Sequence, residues 1–232
     1  MARAILTDIE GTTTPIAFVK EVLFPYARAR IADFIVVHAQ EPAVATARAE
    51  IAAAVGCAVT DDALLARTLV NWIDQDSKAT SLKLLQGMLW ADGYANGELH
   101  ATVYPDAARQ LRAWQAAGKQ LHVYSSGSVQ AQKLLFGHSD QGSLLALFSG
   151  YFDTAIGAKR EPASYTRIAQ AVGETTSEIL FLSDVPAELD AARAAGMQTC
   201  WIVRANDIAP SAEDLRNSVH PVARDFSQIP SR

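Results

Sequence analysis

Three short tracts of this 232-residue chain combine carboxylates, hydroxyls and glycine in patterns suited to phosphate chemistry. They are Thr7-Asp8-Ile9-Glu10-Gly11-Thr12-Thr13, Ser125-Ser126-Gly127-Ser128 and Ser183-Asp184-Val185-Pro186-Ala187-Glu188. Asp8, Glu10 and Asp184 gathered in one crevice would repel and raise each other's pKa values unless a cation lay among them. An all-oxygen ligand set suits Mg²⁺, which keeps several waters and accepts a phosphate as its remaining partner. Ser125, Ser126 and the N–H groups around Gly127, placed at a helix N-terminus, form a receptor for phosphate oxygens. Lys159, in Gly157-Ala158-Lys159-Arg160-Glu161-Pro162, would complete the charge balance. Pro162 just inside a new helix leaves that lysine on the preceding loop.

These tracts need elements that bring them to one place. Five short apolar runs, rich in β-branched or aromatic residues, read as buried strands: Ala4–Thr7, Leu121–Tyr124, Phe152–Ile156, Ile179–Leu182 and Cys200–Val203. Helical patterns cover Asp106–Ala117, Val129–Phe136, Ser164–Ala171 and Ala187–Ala195, with Gly118, Gly173 and Gly196 following where C-terminal caps belong. Strand and helix in alternation imply right-handed crossovers and an open, Rossmann-like parallel sheet covered on both faces. Ligands of such sheets bind at the carboxyl edge, and the first, second and fourth runs lead into the three tracts above.

Residues 17–99 break that rhythm. Leu65, Leu69, Trp72 and Ile73 share one helical face, as do Leu82, Leu85, Met88 and Leu89, with Asp61 or Asp62 as a cap for the first helix. The expected organisation is an α/β core from residues 1–16 and 100–232, with 17–99 as a helical cap inserted after the first strand. Beyond Asn206 the chain is polar and carries Pro210, Pro221 and Pro230, so irregular structure is expected there.

Composition narrows the possibilities. Half of the residues are hydrophobic and 19% are charged, enough to bury a sizeable core. A formal charge of −5 argues against a general nucleic-acid binder while allowing a small basic pocket. Cys57 and Cys200 lack CxxC spacing, so reduced thiols are expected rather than a disulfide or a zinc site. The five histidines, His38, His100, His122, His138 and His220, show no paired ligand spacing. The apolar run Ala4-Ile5-Leu6 stops at Asp8, which gives no targeting signal, and no stretch approaches the ~18 apolar residues of a membrane span. The expected setting is cytoplasmic, with a small-molecule substrate, no nucleic acid or membrane partner, and a monomeric state.

The strand-end Asp-x-Glu-Gly-Thr-Thr, Ser-Ser-Gly-Ser, lysine before a helix and Ser-Asp-Val-Pro-x-Glu together resemble the motifs of haloacid dehalogenase-superfamily phosphatases. The match is more specific to one branch, the enolase-phosphatases (acireductone synthases) of methionine salvage. It rests on Asp8-Ile9-Glu10-Gly11-Thr12-Thr13-Thr14-Pro15, Trp72-Ile73-Asp74-Gln75-Asp76-Ser77-Lys78, Leu85-Gln86-Gly87 with Trp90, and Tyr124-Ser125-Ser126-Gly127-Ser128. The similarity runs from Ile5 to about Val203. It implies Asp8 as the nucleophile that forms an aspartyl-phosphate, and Glu10 as the acid/base where most of the superfamily carries Asp. It also implies Mg²⁺ held by Asp8, Glu10 (through its main-chain carbonyl) and Asp184, with Ser125, Ser126 and Lys159 gripping phosphate. The implied substrate is 2,3-diketo-5-methylthiopentyl 1-phosphate, enolised and then dephosphorylated; the sequence does not single out the enolising base, for which Glu10 is the candidate.

Plainer readings stand beside these. Trp72, Trp90 and the leucine stripes serve as cap core; the helices around the two tryptophans are also where a methylthio tail would be accepted. Arg160 competes with Lys159. Glu188 orients a ligand or a first-turn amide, Asp190 faces solvent, and Lys78 and Lys83 are solvated unless they reach substrate. Alternatives for the whole chain are an Mg²⁺-dependent phosphatase of the same fold for another metabolite, a phosphomutase, a dehalogenase, or a receiver-type phosphoacceptor domain. The last runs to about half this length and lacks both the helical insertion and any use for Glu10.

Overall fold

The computed structural model describes residues 2–205, 207 and 210–229. The chain divides into two compact units: Met1–Phe18 with His100–Arg232, and Val19–Leu99.

In the first unit, β1 (Ala4–Thr7), β2 (Gln120–Tyr124), β3 (Gly150–Phe152), β4 (Ile179–Ser183), β5 (Gln198–Ile202) and β6 (Val222–Ala223) form one sheet in the order β3-β2-β1-β4-β5-β6. Every pairing is parallel, with Thr7 beside Val123 on one side and Leu182 on the other. β1 and β4 are buried along their whole length, as continuous apolar runs in a doubly covered parallel sheet must be. The order reverses direction around β1, so the crevice beyond the carboxyl ends of β1 and its neighbours is the switch point where α/β sheets bind ligands.

Helices α1 to α4 belong to the second unit: Phe24–Val37, Pro42–Val55, Asp62–Asp74 and Thr80–Ala95. The first unit carries α5 (Pro105–Ala116), α6 (Val129–Gly137), α7 (Pro162–Val172), α8 (Pro186–Ala194) and α9 (Ala212–Asn217). Pro stands in the first turn of α5, α7 and α8, where its missing N–H has no intrahelical partner to lose. Gly118, Gly173 and Gly196 follow α5, α7 and α8 at φ +80°, +81° and +93°. That left-handed backbone ends a helix at little steric cost only for glycine.

Two expectations need correction. The third strand is Gly150–Phe152, not Phe152–Ile156. Asp153 stops it: its carboxylate accepts from the N–H of Ala155 at 2.9 Å and of Val129 at 3.3 Å, turning the chain despite the apolar residues that follow. The described part of the C-terminal region is not wholly irregular either. Ser211 and Asp214 form a reciprocal capping box that starts α9, and Val222–Ala223 adds a short parallel strand beside β5. Asn206 and Pro230 lie outside the described residues.

Within Val19–Leu99, Asp61 caps α3 by accepting from Leu64 N–H at 3.0 Å. Leu65, Leu69 and Ile73 are buried, as are Leu82, Leu85 and Leu89 on α4, while Trp72 and Met88 are only half-buried. Trp90 is core, and its indole N–H donates to the Leu23 carbonyl at 3.0 Å. Lys78 sits 2.5 Å from the Asp76 carboxylate on the loop between α3 and α4.

Candidate active site

β1 ends at Thr7, and the Asp8 N–H donates to the Leu182 carbonyl of β4 at 2.9 Å, so the nucleophile candidate is anchored by the sheet itself. The chain then turns sharply. The N–H groups of Thr12, Thr13 and Thr14 converge on the Ile9 carbonyl at 3.2, 2.9 and 2.9 Å, and Glu10 stands on this turn. Gly11 adopts φ +68°, and a Cβ there would lie 2.2 Å from Asp184 Oδ2. Only glycine allows both that backbone and that approach.

The Lys159 ammonium lies 2.8 Å from Asp8 Oδ1 and 2.7 Å from Glu188 Oε2, with a tenth of its side chain exposed. Arg160, by contrast, is exposed. Burial works to lower the lysine pKa, but the two carboxylates overcome it and hold the ammonium above its ordinary range. The lysine loop is fixed from the core below. Tyr165, packed edge-on against Tyr124 at 5.6 Å, donates its O–H to the Lys159 carbonyl at 2.7 Å. Tyr124 donates to the Gly157 carbonyl at 2.9 Å, and Ser164 to that of Ala158 at 2.8 Å.

On β4, the Ser183 hydroxyl lies 3.1 Å from Glu188 Oε2 and 3.5 Å from Asp8 Oδ2, and its single proton serves the shorter contact. Trp201 Nε1–H donates to the Asp184 carbonyl at 2.9 Å, pinning the next residue. Asp184 Oδ1 is buried and has no hydrogen-bond partner among the described residues. Burial, and then the charge of Asp8, push the Asp184 carboxyl up to about 7. The same two causes raise Glu188. A buried carboxylate oxygen with no donor, beside a second carboxylate, offers a coordination position to a hard cation. Among the described residues no group of three or more His, Cys, Asp or Glu side chains is spaced to hold a metal. An ion here would therefore rely on two carboxylates, main-chain oxygen, water and phosphate, the open mode in which Mg²⁺ is held. A cavity of about 580 Å³ has Asp184 and Gly11 in its wall, together with Trp201 and Arg204.

Ser125 follows β2 and is buried, its hydroxyl accepting from Gly127 N–H at 3.2 Å; Ser126 and Gly127 are half-buried. Ser128 caps α6 through Ala131 N–H. This loop emerges from the same carboxyl edge as Asp8, one strand away. Gln132 supports it from α6, donating to the Gly127 and Phe152 carbonyls at 2.8 Å each. Sequence reasoning passed over Gln132, a buried polar residue on an otherwise ordinary helix. The role of Glu188 as partner to Lys159 was also unassigned. Its signal was position, since a residue on the first turn of α8 faces back toward the end of β4.

Of the histidines, His122 is buried in β2, His220 bridges Thr199 (2.8 Å) and Asp190 (3.1 Å), and His38 meets Glu41 at 2.6 Å. Asp190 thus partners His220, although its side chain remains 65% exposed. Both cysteines are free, and burial lifts the Cys200 thiol to about 11.

Comparison with known proteins agrees with this arrangement. Residues 2–196 match the haloacid dehalogenase-like hydrolases. Enolase-phosphatase E1 of Methylococcus capsulatus is 53% identical over 229 residues, covering 99% of this chain and 98% of its own length. Enolase-phosphatase E1 of Pseudomonas aeruginosa is 57% identical over 227 residues, 98% of this chain and 97% of its own. The crystal structure of the Unknown transcript 4 protein of Saccharomyces cerevisiae superposes with a TM-score of 0.84 at 34% identity, over 99% of this chain and 100% of that one. This chain therefore belongs to the haloacid dehalogenase-like hydrolases and, within them, to the enolase-phosphatase E1 family.

Proposed function

We propose that this chain enolises 2,3-diketo-5-methylthiopentyl 1-phosphate and then removes its phosphate, yielding acireductone in methionine salvage. The observation that carries the reading is the buried group of Asp8, Lys159 and Glu188 beside the partnerless oxygen of Asp184, at the end of β1 and β4. Asp8 attacks phosphorus and the ester oxygen leaves, splitting one difficult displacement into formation and hydrolysis of an aspartyl-phosphate. Glu10 protonates the leaving oxygen and afterwards takes a proton from the attacking water. Lys159, kept charged by two carboxylates, balances the phosphoryl oxygens, while Ser125, Ser126 and the Gly127 N–H orient them. Glu188 keeps the lysine in place once the Asp8 carboxylate has become an acyl phosphate.

Asp8 and Asp184, with the main-chain carbonyl of Glu10, would hold Mg²⁺. When bound, the ion neutralises charge on the transferring phosphoryl group and on an enolate oxygen. Glu10 is also the group we assign to remove the proton next to the carbonyl, so one carboxylate serves both halves of the reaction. No helix among the described residues is long and apolar enough to cross a membrane. The reading is completed by a monomeric enzyme in the cytoplasm acting on a small phosphorylated diketone.

The test supplies the diketo phosphate with Mg²⁺ and follows enol absorbance and free phosphate together. Both signals are expected, with chelation abolishing phosphate release and Asp8→Asn lowering it by on the order of 10⁴-fold or more. Phosphate release from unrelated esters without an enol signal would instead make the chain an ordinary phosphatase. Full activity in Asp8→Asn would remove the nucleophile assignment.

A further inference from the structure

The turn that carries Glu10 is held from outside. Its internal hydrogen bonds point inward: three N–H groups use the Ile9 carbonyl, and Gly11 N–H donates to Thr14 at 2.8 Å. The Thr12 and Thr14 hydroxyls are buried without hydrogen-bond partners among the described residues, so they brace nothing. Two of the turn's carbonyls are held by residues from elsewhere in the chain. That of Thr13 accepts from Tyr104 N–H at 2.9 Å. That of Thr12 accepts from Arg204 twice, from Nε at 3.0 Å and from Nη2 at 2.7 Å.

Arg204 is itself fixed on every side. Only 5% of it is exposed, and Nη1 donates to Asp106 Oδ2 at 2.7 Å. The rings of Tyr104 and Phe226 flank the guanidinium, their centroids 4.1 and 5.2 Å from its carbon. Asp106 is held in turn by Phe226 N–H at 2.8 Å. Arg204 follows β5, Asp106 begins α5 and Phe226 lies after β6, so three distant stretches converge on one carbonyl two residues from Glu10. A planar guanidinium suits the task because two donors of its fork fall on one oxygen while a third reaches a carboxylate and the plane packs against rings. A lysine ammonium has no such fork.

We infer that Arg204 is a positioning residue for the reaction, gripping the Thr12 carbonyl so that the turn presents Glu10 at a fixed place. The inference rests on the reading of Glu10 as acid/base. Arg204 commits Nε and Nη2 to the Thr12 carbonyl and Nη1 to Asp106, so it acts on the reaction through the turn. Displacing a reacting group by about 1 Å is enough to cost on the order of 10²-fold in rate.

The test is a double-mutant cycle on the full chain with Mg²⁺, using wild type, Glu10→Gln, Arg204→Lys and Glu10→Gln/Arg204→Lys, with Asp106→Asn as a milder variant. Values of kcat and KM are measured on the diketo phosphate and on 4-nitrophenyl phosphate, together with inhibition by inorganic phosphate. All are taken below each variant's melting temperature. Glu10→Gln is expected to lower kcat by roughly 10²–10⁴-fold. Arg204→Lys is expected to lower it by roughly 10–100-fold, and Asp106→Asn by a few fold, with KM and phosphate inhibition within about twofold of wild type. Adding Arg204→Lys to Glu10→Gln is expected to cost nothing more, because the misplaced group is already gone. A multiplicative loss in the double variant, or weakened phosphate inhibition in step with kcat, would overturn the positioning role. So would wild-type kcat in both Arg204→Lys and Asp106→Asn. Wild-type kcat in Glu10→Gln is a different result, removing the acid/base reading itself.

Discussion

In the sheet-bearing unit, Lys159 joins Asp8 and Glu188 with the three side chains only 10%, 7% and 11% exposed. In Val19–Leu99, the pair Arg28–Asp74 joins side chains that are 53% and 47% exposed, and Arg30–Glu98 pairs at 45% and 47%. Removing charges from water costs several kcal/mol per ion, whereas exposed pairs contribute little either way. Arg48, the buried cation of the helical unit, shows that burial alone does not mark function. Its guanidinium donates to the Ile35 and Val59 carbonyls and reaches Asp62, satisfying chain ends around α1 and α3. The other unit differs in concentrating more carboxylate than its lysine satisfies, leaving one oxygen of Asp184 without a partner. That imbalance, rather than burial, distinguishes a place prepared for a charged ligand from one that is finished.

The largest effect tests this imbalance. Lys159→Met leaves Asp8 and Glu188 buried without their cation, and losing one partner of such a group costs roughly 3–5 kcal/mol of stability. Activity is expected to fall by at least about 10²–10³-fold, the scale of losing one electrostatic stabiliser. Chemical denaturation and phosphate release on the same sample separate the two losses. The sharper version adds Glu188→Gln, which is expected to recover part of the stability and none of the activity. Recovery of both would place the lysine in architecture alone.

The same contrast explains what could be read from the chain beforehand. Asp8, Ser125 and Asp184 were legible because each follows a short buried run, and the carboxyl ends of parallel strands share an edge whatever the order of the strands. Glycines after α5, α7 and α8 marked helix ends through local sterics. Partners chosen across the fold left no local trace: Arg204 meets Thr12 across 192 positions and Asp106 across 98. The end of the third strand is hidden in the sequence because apolar character continues through Ala155 and Ile156, whereas the side chain of Asp153 turns the backbone before them. In the tail, prolines suggested irregularity and outweighed Ser211 and Asp214, whose spacing is that of a capping box. β6 has only two residues, too few to show alternation.

Acid should expose a further difference between the units. His122 lies in β2 only 4% exposed, and burial holds its pKa down at about 4 against an ordinary 6.5. Between those values the unfolded chain binds the extra proton, so stability rises with pH. The contribution is complete above about pH 6.5 and is lost as pH falls toward 4, amounting to roughly 3 kcal/mol at the lower end. His38 in the helical unit is 33% exposed and meets Glu41 near the surface. His122→Phe is therefore expected to lose less unfolding free energy than wild type as pH falls from 6.5 to 4. Equal slopes in urea titrations of the two proteins would show that burial of this imidazole does not weigh on stability.

The smallest effect belongs to the exposed pairs. Arg28 Nε lies 2.7 Å from Asp74 Oδ1 and Nη2 lies 3.1 Å from Oδ2, a two-pronged contact between α1 and α3. Its geometry is as good as that of the lysine group, which makes it a fair control for the effect of solvent. Water and salt screen such a contact, and two long side chains lose freedom in making it. Asp74→Ala is expected to move the melting temperature by about 1 °C or less, with smaller changes still at 0.5 M salt. Phosphate release should be unchanged. A larger shift that vanishes in salt would mean that the helical unit draws real stability from surface charge, narrowing the contrast with the sheet-bearing unit. A salt-insensitive shift would point instead to the packing of α1 against α3.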